Sequence, residues 1–79
     1  LTQEGKSLLI YPNPTSNIIT IQGKEDMHQN FKIFDQMGRE VYKGKLNGIT
    51  TDVYLTNLSK GIYTLKIDGN YKPAQIVKE

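Results

Sequence analysis

An all-β domain, an Ig-like antiparallel β-sandwich of about seven strands, is what this 79-residue sequence predicts, and three observations predict it. Ala occurs once, at Ala74, whereas Ile, Val, Thr, Tyr and Phe are plentiful, a balance that disfavours helices and suits pleated, half-buried surfaces. Short apolar or alternating runs recur about every 8–12 residues between Gly, Pro, Asn and Asp. The turns between them are too short for the helical crossovers that parallel strands require, so the sheets are antiparallel.

The first strand is read at residues 8–11 and is broken by Pro12-Asn13-Pro14, where two prolines remove backbone donors and Asn13 is forced extended. Thr15-Ser16-Asn17 turns the chain into a second strand, 18–22, with Ile19 and Ile21 on one face and Ile18 and Thr20 on the other. The polar stretch 23–30 reads as a loop. A third strand, 31–35, sets Phe31 and Ile33 against Lys32 and Phe34, and Gly38 ends the following hairpin loop at a positive φ. The return strand, 40–44, is expected to turn Val41 to the core and Tyr42 away from it. Asn47-Gly48 signals a turn before a fifth, edge strand at 51–55. The clearest alternation lies at 62–67, where Tyr63, Leu65 and Ile67 share one face, marking a central strand. Asp68-Gly69-Asn70 reverses the chain into a last strand, 74–78, entered through Pro73, so the closing hairpin joins strands six and seven.

A chain of this length holds one core. It has no Cys, hence no disulfide or thiolate metal site, and one core of this size supplies only about 3–5 kcal/mol. With 37% hydrophobic and 23% charged residues and no long apolar run, the sequence is that of a folded domain without a membrane-inserting helix. A net charge of +2, without clustered Lys and Arg along the sequence, argues against nucleic acid. The opening at Leu1, without the features of a signal peptide, is expected of a piece of a longer precursor.

Catalytic chemistry has little to work with. The single imidazole, His28, stands in a polar stretch and reads as a solvated histidine, and Asp35, Asp52 and Asp68 each fall at a turn or strand margin. No EF-hand-like spacing or Gly-rich phosphate loop occurs, so no metal, cofactor or catalytic residue is expected, and Asn57-Leu58-Ser59 reads as a plain turn. Five tyrosines leave a carbohydrate platform as an alternative.

Three segments then become specific: residues 9–21, opening Leu9-Ile10-Tyr11-Pro12-Asn13-Pro14-Thr15; residues 31–41, with the Asp35-Gln36-Met37-Gly38-Arg39 hairpin; and residues 58–67, with Gly61-Ile62-Tyr63 leading the clearest strand; an ending of 72–79 accompanies them. In order and spacing, across almost the whole chain, they resemble the C-terminal sorting domain of the type IX secretion system. The resemblance implies a noncatalytic Ig-like label on exported proteins of the phylum Bacteroidota. It would be recognised in the periplasm, directed through the outer-membrane translocon to the cell surface or the medium, and usually removed by a sortase-like peptidase. Its partners would be that machinery and a covalently linked N-terminal passenger. Residues 1–6 would be a linker or cleavage-proximal segment and 7–79 the sorting domain. The alternative is a fibronectin-like or carbohydrate-binding accessory module of an extracellular enzyme.

Carried over by position, Pro12, Asn13, Pro14, Gly38, Gly61 and Tyr63 match family motifs, and each also has a structural reading. Gly61 takes a positive φ at the strand entry, and Tyr63 buries its ring while its hydroxyl finds a backbone partner. Lys72, Ile76, Val77, Lys78 and Glu79 resemble the segment on which export depends, although the acidic Glu79 departs from the frequent Lys-rich ending. Pro73 and Lys78 at the two ends of the last strand suggest an accessible edge that a receptor extends by backbone pairing, or that supports a weak edge-strand dimer. On this reading, changing Lys72 and Lys78 to Gln leaves the fold intact.

Overall fold

Each of the seven runs forms a strand in the computed structural model, which describes residues 8–79: β1 (Leu9–Tyr11), β2 (Ile18–Met27), β3 (Asn30–Phe34), β4 (Glu40–Lys45), β5 (Gly48–Tyr54), β6 (Gly61–Ile67) and β7 (Ala74–Lys78). The segment 1–6, expected to be a linker, lies outside the described residues. The strands make two antiparallel sheets, β1-β2-β5 and β4-β3-β6-β7, packed as a sandwich. The chain changes sheet between β2 and β3, between β4 and β5, and between β5 and β6, and β4 sits beside β3 as the additional strands of variable-type Ig domains do. The expected edge position of β5, the central position of β6 and the closing β6–β7 hairpin are all present.

Period-two alternation decides which side chains meet between the sheets. Ile19, Ile21 and Val53 enter from the first sheet, and Phe31, Ile33, Tyr63, Leu65, Ile67 and Ile76 from the second. Leu46 and Leu55, just beyond β4 and β5, close the two ends of this core. At about 25 cal/mol per Å² of buried apolar surface, these side chains supply most of the folding free energy of a chain with no disulfide.

Two local expectations are corrected. Residues 23–27 are not a loop, because β2 continues to Met27 through a break in register: Gln22 pairs with Thr50 and Met27 with Gly48. The exposed Lys24-Glu25-Asp26 occupy that bulge and mask the alternation, while Met27 folds back into the core over Gly23. A Cβ at Gly23 would stand 2.5 Å from Met27 Cε, so the missing side chain makes room for the methionine.

The second correction concerns β4. Tyr42 does not point away from the core: it stands opposite the buried Ile33 and stacks on Phe31, with ring centroids 5.9 Å apart. A register shift between Ile33 and Phe34 changes the alternation around Val41, so that Val41 and Tyr42 both pack against the core.

Candidate functional site: the last strand and its clamp

The segment that ends the chain is held on both sides. Along one edge β7 pairs with β6, from Gly61↔Lys78 to Leu65↔Ala74. Alternate residues of an antiparallel strand turn their backbone groups outward, and on β7 these include Gln75 and Val77, with Glu79 following. Asn13 meets them with its side chain: Nδ2 donates to the Gln75 carbonyl at 2.7 Å and Oδ1 accepts from the Val77 N–H at 2.9 Å. Thr15 continues the pattern with its backbone, donating to the Val77 carbonyl at 2.9 Å and accepting from the Glu79 N–H at 2.8 Å, as an isolated parallel bridge to Lys78.

The carboxamide thus stands where one peptide unit of a neighbouring strand would stand, since it carries one donor and one acceptor in similar placement. Pro12 and Pro14 flank it, both after cis peptide bonds, and neither carries an N–H that would need a partner. Thr15, the buried polar residue of the core region at 2% exposure, anchors the segment by donating from Oγ1 to the Ile18 carbonyl at 2.6 Å. The expected accessible edge on β7 is therefore corrected: from Gln75 to Glu79 it is already occupied by residues 13–15.

A second group of contacts fastens the turn before β6. Gly61 opens that strand at φ +155°, a conformation L residues rarely adopt. Tyr63, 7% exposed, buries its ring and donates its hydroxyl to the Ser59 carbonyl four residues upstream, the tyrosine corner found at this strand of Ig-like domains. Lys78 Nζ donates to the neighbouring Leu58 carbonyl at 2.6 Å. This cation is a tie between the last strand and the turn.

The β3–β4 hairpin closes through Asp35. Its Oδ1 accepts from the N–H groups of Met37 and Arg39, and its Oδ2 from Arg39 Nε at 2.9 Å. The Arg39 N–H is the main cause holding this carboxyl below its usual value; partial desolvation opposes it, while the guanidinium and the Met37 N–H assist. Gly38, at φ +82°, makes the positive-φ turn that the hairpin requires.

The structure brings Asn13, Gly61, Tyr63 and the 76–79 segment into one region and leaves Gly38 on the β3–β4 hairpin. Within the terminal segment Ile76 is fully buried opposite Tyr63, Val77 and Lys78 are half-buried, and Lys72 and Glu79 are exposed. Sequence reasoning missed Thr15 and the carbonyls of Leu58 and Ser59. A Thr directly after the two prolines was the available signal for the first, and backbone acceptors carry none. His28 is exposed and meets Asp26 at 3.0 Å, and among the described residues no three His, Asp or Glu side chains converge as a metal site would require.

The polar groups of the region are engaged in holding backbone. A family described as the secretion system C-terminal sorting domain matches residues 9–79, which takes in β1 through β7 and every contact above. No curated protein matches the chain.

Proposed function

Because this chain belongs to the secretion system C-terminal sorting domain family, a type IX secretion signal that sends its protein toward the cell surface or the medium, we propose that it works as a noncatalytic label read in the periplasm. The label is covalently joined to an N-terminal passenger, passes through the outer-membrane translocon, and is then removed by a sortase-like peptidase near residues 1–6. The observation that carries this reading is the family match over residues 9–79, together with the clamp that ties the first family motif to the last strand.

The motif residues act by giving the label its shape. Asn13, Gly61 and Tyr63 fix backbone, so replacing them alters what the machinery meets without removing a contact to it. In the terminal segment Ile76 acts from within the core and Lys78 through the Leu58 carbonyl, and on this reading Val77 and Glu79 are the side chains offered to a receptor. Residues 1–79 fused behind a periplasm-directed fluorescent protein are expected to bring it to the surface of a type IX competent host. Equal surface fluorescence in a strain lacking the translocon would reject the reading.

A further inference from the structure

The other edge of the same sheet is open. β4 pairs only with β3, and among the described residues no hydrogen bond reaches its outer side. Its outward-facing side chains are Glu40, which is engaged by Lys32, and Lys43 and Lys45, and the register places Lys43 opposite Lys32 and Lys32 opposite Lys66, a row of three lysines across β4, β3 and β6. Like charges placed directly opposite one another destabilise a sheet. Part of that repulsion is relieved within the domain. Lys32 lies 3.7 Å from Glu40, and Lys66 stands 5.3 Å over the Phe34 ring.

Lys43 and Lys45 have no such partner among the described residues, and both are on the edge strand. They line a shallow concavity with Lys32 and Gly44, in which Asp68 is the facing acid. On the opposite side of β4 the surface is apolar: Tyr42 is half-buried on Phe31, and Gly44 offers no side chain. A strand laid along β4 would therefore meet cations on one face and an aromatic ring on the other, at a period of two.

We infer that β4 is a docking edge for an extended acidic polypeptide, whose carboxylates alternate with apolar residues so as to pair with Lys43 and Lys45 while covering Tyr42. Backbone pairing supplies the affinity and the alternating charges the register. Lysines that merely blunt an exposed edge against aggregation would sit there without binding anything. The inference rests on the geometry of β4 alone and goes beyond the export reading.

An alternating Glu-Val peptide titrated into the 79-residue chain tests it, with backbone amide shifts followed by NMR. Shifts centred on residues 40–45, weakening with added salt, are expected. The pair Lys43→Glu and Lys45→Glu is expected to weaken binding by about tenfold and to favour an alternating Lys-Val peptide instead. Lys43→Gln with Lys45→Gln gives an intermediate affinity should the reversal disturb folding. N-methylation of alternate peptide amides is expected to abolish binding, which separates strand pairing from general charge attraction. Absent shifts, shifts centred elsewhere, or equal perturbation by phosphatidylglycerol vesicles would overturn the inference.

Discussion

The two edges of the four-stranded sheet face the same difficulty and meet it differently. At β7, residues 13–15 supply the donors and acceptors of a missing neighbour, so backbone that would otherwise face solvent is paired on both sides. At β4 no described residue pairs with the outer backbone, and charge is placed beside it, through Lys43 and Lys45. An unpaired edge is an invitation to any extended chain, and these are two ways of controlling who accepts it. The first closes the edge to all strands. The second admits only a strand with the complementary sign. On the proposed reading, the terminal strand is met through side chains and shape, and backbone pairing falls to the far side of the sheet.

Ile76→Ala, compared with Val41→Ala, is expected to give the largest contrast between the edges. Ile76 is fully buried on β7 and its truncation should cost about 3 kcal/mol, whereas Val41 is half-buried on β4 and should cost about 1 kcal/mol. With a core worth only about 3–5 kcal/mol, the first change leaves little stability and the second a folded domain. Urea unfolding followed by circular dichroism reads both. Equal midpoints would mean that β4 is anchored as deeply as β7 and would break the comparison at its base.

Next in size is the clamp. Asn13→Ala removes both the donor to the Gln75 carbonyl and the acceptor for the Val77 N–H, at an expected cost of about 2 kcal/mol. Hydrogen exchange at Val77 and Glu79 should accelerate toward the rates of outward-facing amides on β4, with the β6 pairing retained. Unchanged protection at both amides would show that neighbouring packing, and not the carboxamide, covers the edge.

Where side-chain periodicity carries the information, the fold was legible in the sequence. The alternation of 62–67 located the central strand, Phe31 and Ile33 were read on one face, which is the buried one, and Tyr63 was matched to a backbone acceptor. It failed where register slips. The bulge after Gln22 hid the second half of β2 behind three charged residues, and the shift beside Phe34 reversed the side assigned to Tyr42. The clamp was illegible for a different reason. Asn13 and Gln75 are 62 positions apart, and a side chain that imitates a peptide unit leaves no periodic trace, so residues 12–14 could be matched to a motif without showing what it holds. Lys78 looked like a free terminal cation because its partner is a carbonyl, and every residue has one of those.

The smallest expected effect concerns what steadies β4 in the absence of a cap on its outer side. Its start is fixed by the hairpin through Asp35, whose carboxylate accepts from Met37 and from both the backbone and the guanidinium of Arg39. Since the folded carboxyl lies below the ordinary value of 3.8, the unfolded chain takes up its proton first as pH falls. The stabilisation is thus present above about pH 4 and is lost as pH falls through the folded value. Asp35→Asn can keep an acceptor for the two N–H groups but has no charge to lose. Unfolding midpoints measured from pH 5 down to pH 2 should therefore fall more steeply for the parent chain than for the variant, the two curves approaching each other at the acid end. Parallel curves would mean that the hairpin is held by its backbone hydrogen bonds alone, and that β4 relies on Tyr42 and Val41 to stay in place.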